Sequence, residues 1–293
     1  MKTILALSLA SAAVAVPHAH RRATAQHFIS FGDSYTSTTF DITGEQPSAS
    51  NPLGNPPFPG WTAAGGPNWI SQLVGVYNSS LLLNYNLAYG GATVNASLVE
   101  PYTAEVLSFI DQVGEFIEYL VPDGNSSWTA DETLFAVWMG VNDVGGSWYQ
   151  SNPDALQVEI LDQYFEQLEL VYAGGARNFV LLTVPPTERT PQVTQGDNAN
   201  YTITHLKAAI SSWNTGLNER ASNFATKHSD AVVKMVDTQP VFNDILDAGG
   251  DMADCYNEDG VTCLWFNDYH PGLVIQDAVA QAVAEAWPAF FTV

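Results

Sequence analysis

The sequence predicts an α/β chain in which helices cover both faces of a parallel β-sheet, a three-layer αβα sandwich. Three observations carry that expectation. Short apolar runs end in Gly, Pro, Asn or Asp; longer stretches with helical spacing lie between them; and the two alternate without an internal repeat or a low-complexity linker.

The expected strands are His27–Phe31, Leu82–Ala88, Leu134–Trp138, Asn178–Val184 and Ala231–Val236. Each is short and mostly apolar throughout, as strands buried on both faces must be. Helical spacing predicts Asn68–Tyr77 after the first strand, where Trp69 opens an apolar face and is expected in the core. Next comes Ala104–Val121, in which Val106, Phe109, Ile110, Val113, Phe116, Ile117 and Leu120 repeat at intervals of three and four and define one buried face. Asp154–Ala173, Ile203–Lys227 and Leu273–Trp287 complete the helical set. The longest irregular piece, Pro47–Gly66, lies inside the βα pattern and reads as a surface loop rather than a domain boundary.

Residues 1–22 stand apart from this pattern. Lys2 precedes an apolar run from Ile4 to Val16, and Ala13 and Ala15 supply small residues for cleavage, the pattern of a secretory signal peptide. Arg21-Arg22 reads as a dibasic processing site ending a short propeptide, so the mature chain is expected to begin near Ala23 and residues 23–293 to form one domain. Removal of residues 1–22 takes three of the 9 basic residues and none of the 31 acidic ones, leaving a net charge of −25. Such a field repels nucleic acid and anionic membrane surfaces. The apolar run is too short for a membrane anchor. Asn78, Asn95, Asn125 and Asn200 each begin an N-x-S/T sequon and are candidate glycosylation sites on a secreted, extracellular protein. Cys255 and Cys263 are the only cysteines, and in an oxidising compartment they are expected to form one disulfide contributing roughly 2–3 kcal/mol.

Functional groups of open α/β sheets gather at the carboxyl ends of the strands. The informative residues fall there: Gly32-Asp33-Ser34 after the first strand, Gly90-Gly91-Ala92-Thr93 after the second, Gly140-Val141-Asn142-Asp143 after the third, and Asn267-Asp268-Tyr269-His270-Pro271 near the end. Taken singly, these have structural readings: a serine that caps a helix, glycines that permit a turn, Asn-Asp turn chemistry, and a histidine held before a proline. In this order and placement they resemble the four blocks of the SGNH (GDSL-like) hydrolase superfamily, over a span from about Phe28 to about Gly272. The resemblance implies a flavodoxin-like sheet, Ser34 as nucleophile, His270 as general base, and an oxyanion hole built by the backbone N–H groups of Ser34 and Gly91 and the side-chain amide of Asn142. Gly65-Gly66-Pro67-Asn68-Trp69, Asn86–Thr93 and Gly175-Ala176-Arg177-Asn178-Phe179 are similar to fungal members of carbohydrate esterase family 16, which implies acetylesterases acting on acetylated plant cell-wall sugars.

These residue types suit ester hydrolysis. A serine hydroxyl attacks well only when a base takes its proton, and imidazole titrates near neutrality. Amide donors preorganised around the developing oxyanion are each worth about 3–4 kcal/mol in the transition state. No metal and no organic cofactor is required. One departure from the superfamily pattern concerns the orienting acid, which usually lies three positions before the histidine: position 267 is Asn267, and Asp268 lies two before. Asp268 is the expected orienting acid, with Asn267 or a backbone carbonyl as the alternative. Asp33 and Asp143 are expected to bond backbone groups in their turns. Trp148, just beyond Gly145-Gly146, is expected to line the substrate cleft and stack on a sugar ring.

The expected protein is a monomeric, secreted serine esterase whose partner is a small-molecule or oligosaccharide ester, with neither nucleic acid nor a membrane anchor. A lipase or phospholipase on the same frame is the nearest alternative, separated by activity across acyl esters of increasing length. A non-catalytic carbohydrate-binding wall protein is the alternative of another class, kept open by Asn267.

Overall fold

The structure is a computed structural model that describes residues 25–121 and 128–293. Five strands, β1 (Gln26–Gly32), β2 (Leu82–Asn86), β3 (Thr133–Trp138), β4 (Asn178–Leu182) and β5 (Val232–Val236), form one sheet in the order β2-β1-β3-β4-β5. Every neighbouring pair is parallel, with Phe31 opposite Val137 and Gly32 opposite Trp138 at the centre. The chain steps outward from β1 to β2, then reverses across β1 to reach β3. The connections leaving β1 and β3 therefore diverge, and a crevice opens between their carboxyl ends.

The helices are α1 (Trp69–Gly75), α2 (Phe109–Glu115), α3 (Val141–Ser147), α4 (Pro153–Ala173), α5 (Pro191–Thr194), α6 (Ala199–Lys227), α7 (Thr238–Ala248) and α8 (Leu273–Ala286). Packing sorts the long ones into two layers, with α8 against α1 and α7, and α4 against α2 and α6. Right-handed crossovers require this: α1 serves the step from β1 to β2, and the opposite step from β2 to β3 sends α2 to the other face. Side chains of β1 divide accordingly. Phe28 meets Trp69 of α1 edge to face at 6.1 Å, whereas Phe31 meets Phe109 of α2 at 5.6 Å. Both phenylalanines are fully buried, consistent with a strand covered on two sides.

Four local differences from the sequence expectation have physical causes. The stripe expected over Ala104–Val121 becomes helical only at Phe109, because Ser108 and Asp111 form a reciprocal capping box that starts the helix there. After Glu115 the helix widens into a π-turn over Phe116–Leu120, which shifts the register and leaves Ile117 exposed. The Gly-rich segment that hid α3 is nonetheless helical, and α7 starts where Asp237 caps it by accepting from the Gln239 N–H, with Pro240 in the first turn, where no N–H is needed. The segment Pro47–Gly66 remains irregular, and Leu53 and Ala64 within it are buried. Cys255 and Cys263 are joined, with their Cα atoms 5.5 Å apart. The expected leader at residues 1–22 and the sequon at Asn125 lie outside the described residues.

Candidate active site

Ser34 sits on the turn that leaves β1, and buried carboxamides fix that turn. The Gly32 N–H donates to Gln112 Oε1 (3.0 Å), and Gln112 Nε2 donates back to the Gly32 carbonyl (2.9 Å). Asn68 Nδ2 and Asn86 Nδ2 each donate to the Thr36 carbonyl at 2.8 Å. Asp33 Oδ1 accepts from the Tyr35 N–H at 2.9 Å, an Asx-type contact that closes the turn around the serine. The Asp33 carbonyl accepts from Thr36 and Ser37. With its backbone so determined, the hydroxyl at 34 has a fixed origin.

His270 reaches that hydroxyl from the far end of the chain. Its Nε2 lies 2.8 Å from Ser34 Oγ, and its Nδ1 lies 2.9 Å from Asn267 Oδ1. An amide oxygen only accepts, so Nδ1 carries the proton and Nε2 is left as the acceptor for the serine O–H, a tautomer assigned from this network. Asn267 Oδ1 also accepts from the backbone N–H groups of Tyr269 (2.9 Å) and His270 (2.8 Å). That turn aims residue 267, not 268, at the imidazole. Asp268, the expected orienting acid, is exposed, and its carbonyl accepts from the Gln192 N–H. The expectation for Asp268 is corrected to Asn267. Burial pushes the His270 imidazole down to about 4, while the negative charge of Asp268 pulls the other way.

The two remaining blocks meet beside this pair. Gly91 has φ +84°, and a Cβ there would clash with the edge of the Tyr102 ring, so glycine permits both the turn and the close approach. Asn142 Nδ2 donates to the Ala92 carbonyl (2.9 Å), and Asp143 Oδ1 accepts from the Val94 N–H (2.9 Å), so α3 grips the glycine loop at two points. The second hydrogen of the Asn142 amide remains for another acceptor. Gly140, which starts α3, has φ +125°. Asp33 bonds a backbone group in its own turn as expected, whereas Asp143 reaches the Val94 N–H of the glycine loop; both are fully buried, and burial raises each to about 7.

His270, Asn142 and Gly91 face a cleft of about 620 Å³. Trp148 lines its wall, together with Tyr102, Tyr269, Thr202, Glu100 and Asp197. Other tryptophans differ: Trp69, expected in the core, and Trp128 are buried, and Trp61 is exposed. Sequence reading missed the contributions of Glu100–Tyr102 and of residues 192–206, since loops and helix ends that meet only in three dimensions carry no shared spacing. Of the sequon asparagines, Asn200 is exposed, while Asn78 Nδ2 donates to the Ser80 carbonyl and Asn95 Oδ1 accepts from the Ser97 N–H.

Geometrically, a hydroxyl, a neutral imidazole and amide donors converge on a cleft open to solvent, a set that can perform acyl transfer. Comparison with known proteins agrees with that chemistry. Residues 28–283 match the family model described as GDSL-like Lipase/Acylhydrolase. An acetylesterase of Thermothelomyces thermophilus is 50% identical, covering 97% of this chain and 96% of that protein. An acetylesterase of Hypocrea jecorina is 26% identical over 54% of this chain and 47% of its own length. Among solved structures, a member of the lipolytic protein G-D-S-L family from Veillonella parvula superposes with a TM-score of 0.51 at 12% identity, covering 90% of this chain and 99% of that one, a likeness of fold.

Proposed function

The chain belongs to the GDSL-like lipase/acylhydrolase family and is a carboxylic ester hydrolase, and from that premise we propose that it removes acetyl groups from carbohydrate esters through an acyl-serine intermediate on Ser34. The observation that carries the reading is the 2.8 Å contact between Ser34 Oγ and His270 Nε2 at a cleft lined by Asn142 and Gly91. Nε2 takes the hydroxyl proton as Oγ bonds to the ester carbonyl carbon, and the carbonyl oxygen becomes an oxyanion held by the N–H groups of Ser34 and Gly91 and the free amide hydrogen of Asn142. As the C–O bond to the alcohol breaks, His270 returns the proton to the leaving oxygen. Water, deprotonated by the same nitrogen, then attacks the acyl-serine, releasing acetate and restoring the hydroxyl.

The acetyl-carbohydrate part of the proposal rests on the cleft and the relatives. Trp148 and Tyr269 offer ring faces, and Glu100, Asp197 and Thr202 offer partners for sugar hydroxyls, a lining suited to a neutral polyol. The acetylesterase of T. thermophilus supports the acetyl assignment. A net charge of −25 after loss of residues 1–22 disfavours anionic lipid surfaces. Export completes the proposal, motivated by the leader pattern and the disulfide; no helix among the described residues is long and apolar enough to cross a membrane. Wild type and Ser34→Ala, compared on 4-nitrophenyl acetate and on an acetylated xylo-oligosaccharide, test the mechanism. The variant is expected to lose on the order of 10³-fold or more in kcat/KM on both; equal rates would refute it.

A further inference from the structure

We propose that Tyr102 sets the acyl-chain length the enzyme accepts, by standing between the cleft and a neighbouring groove with apolar walls that would otherwise receive longer acyl chains. The inference rests on the acyl-serine reading of Ser34. The groove, about 470 Å³, lies on the β2 side of the nucleophile; Phe40, Ile42, Leu87, Ala88 and Leu107 give it apolar walls, while Ser37, Thr39, Asp41, Tyr89 and Glu115 supply polar groups to its lining. Its floor includes Gly90, where a Cβ would lie 3.9 Å from Ser34 Cβ, so the groove begins one residue's width from the nucleophile. Among the described residues Tyr102 alone lines both the groove and the cleft.

The chemistry of leaving-group protonation decides which part of the ester faces which side. His270 must deliver its proton to the departing alcohol oxygen, so the alcohol lies where His270 is accessible. His270 and Asn142 line the cleft and not the groove. The alcohol therefore occupies the polar and aromatic cleft, and the acyl substituent points away from it, toward Gly90 and the groove. An acetyl methyl needs no room beyond the carbonyl carbon. Each further methylene has to pass Tyr102, whose ring edge occupies the space a side chain on Gly91 would take, beside the oxyanion donor. Once past it, a chain would meet the carbon of Phe40, Ile42, Leu87 and Leu107, surroundings that favour burial of methylenes, alongside the polar groups of the same groove. Tyr102 is 76% exposed, so its removal uncovers the groove without emptying a packed core.

The test compares wild type, Tyr102→Ala and Tyr102→Phe on 4-nitrophenyl acetate, butyrate and octanoate, reading kcat/KM on octanoate divided by that on acetate. Tyr102→Ala is expected to raise this ratio at least about tenfold, a gain equivalent to burying two methylenes, while Tyr102→Phe, which keeps the ring, stays near wild type. Adding Leu107→Trp to Tyr102→Ala refills the groove and is expected to return the ratio toward wild type. Thermal melts establish that each variant is folded, and Tyr102→Val serves in place of Tyr102→Ala if the alanine variant is not. An unchanged ratio in the folded Ala or Val variant overturns the inference, as does a gain that survives Leu107→Trp. Failure of the acyl-serine reading looks different, because Ser34→Ala would then keep its acetate activity whatever the state of residue 102.

Discussion

An amide oxygen, rather than a carboxylate, receives the Nδ1 proton of His270. Asn267 fixes the tautomer, but it lends an imidazolium less support than a negative charge would. Burial adds to this and holds the ring at about 4, so Nε2 is already free to accept a proton in mildly acidic medium. For the free enzyme, kcat/KM is expected to rise as pH increases through about 4 and then level off. Asn267→Asp places a charge at Nδ1 that favours the protonated ring, so it should move this acid limb to higher pH; a limb that stays put or moves lower would count against the assignment. Asn267→Ala should lower kcat by on the order of 10²-fold, whereas Asp268→Asn, altering only an exposed and screened charge, should stay within about threefold. Asp33 and Asp143 titrate in the opposite sense for stability. Their folded pKa values, raised to about 7 from 3.8, mean that the folded chain binds more protons than the unfolded chain between those values. Stability from these two groups is complete below about pH 3.8 and is lost as pH rises toward 7. Asn at 143 does not titrate, so the melting temperature of Asp143→Asn minus that of wild type should grow from pH 4 to pH 7; a constant or shrinking difference would contradict the buried-acid account.

At the scale of elements, α3 links the sheet to the site. Gly140 begins the helix at φ +125°, and a Cβ there would lie 2.6 Å from Val184 Cγ2 and 2.7 Å from the Trp213 ring. Gly140→Ala is therefore expected to cost roughly 1–3 kcal/mol of stability and to lower kcat by displacing Asn142, measured by denaturant unfolding and by kinetics on the same preparation. The strands were legible from the sequence because burial on both faces leaves a continuous apolar run, as in Phe28-Ile29 or Phe135–Val137. Ser34, Gly91, Asn142 and His270 were legible because each lies just after a strand or in a short distinctive block. The choice between Asn267 and Asp268 was not legible, since the local turn decides which side chain meets the ring, and a carboxylate is the better partner on chemistry alone. Helix α3 was hidden because Val-Asn-Asp-Val-Gly-Gly-Ser has poor intrinsic helix propensity, and contacts to α4 and α6 supply what propensity does not. Tyr102 and the wall formed by Gln192–Leu206 belong to no periodic pattern and come together only through the fold.

Across the whole molecule, the parallel strands and the reversal of strand order after β2 bring residues 34, 91, 142 and 270 to the carboxyl end of the sheet from positions spread over most of the chain. Two strands supply the framework: β1 leads into the turn that carries Ser34, the proposed nucleophile, and β3 leads to Asn142, the proposed oxyanion donor. The segment carrying Asn267 and His270 is secured from several directions, by the Tyr35 hydroxyl donating to the Tyr269 carbonyl (2.5 Å), by the Phe266 N–H donating to the His270 carbonyl (2.8 Å), and by the disulfide just upstream. Replacing Cys255 and Cys263 with serine should lower stability by about 2–3 kcal/mol in the chain-entropy picture, read as a lower melting temperature. The proposed chemistry depends on one hydroxyl, at Ser34, activated by His270 from the other end of the chain. Labelling with an organophosphonate, followed by peptide mass mapping, tests this most directly. The account predicts one adduct per chain, on Ser34, formed in step with loss of activity and suppressed in His270→Ala; complete inactivation with Ser34 unmodified would contradict it.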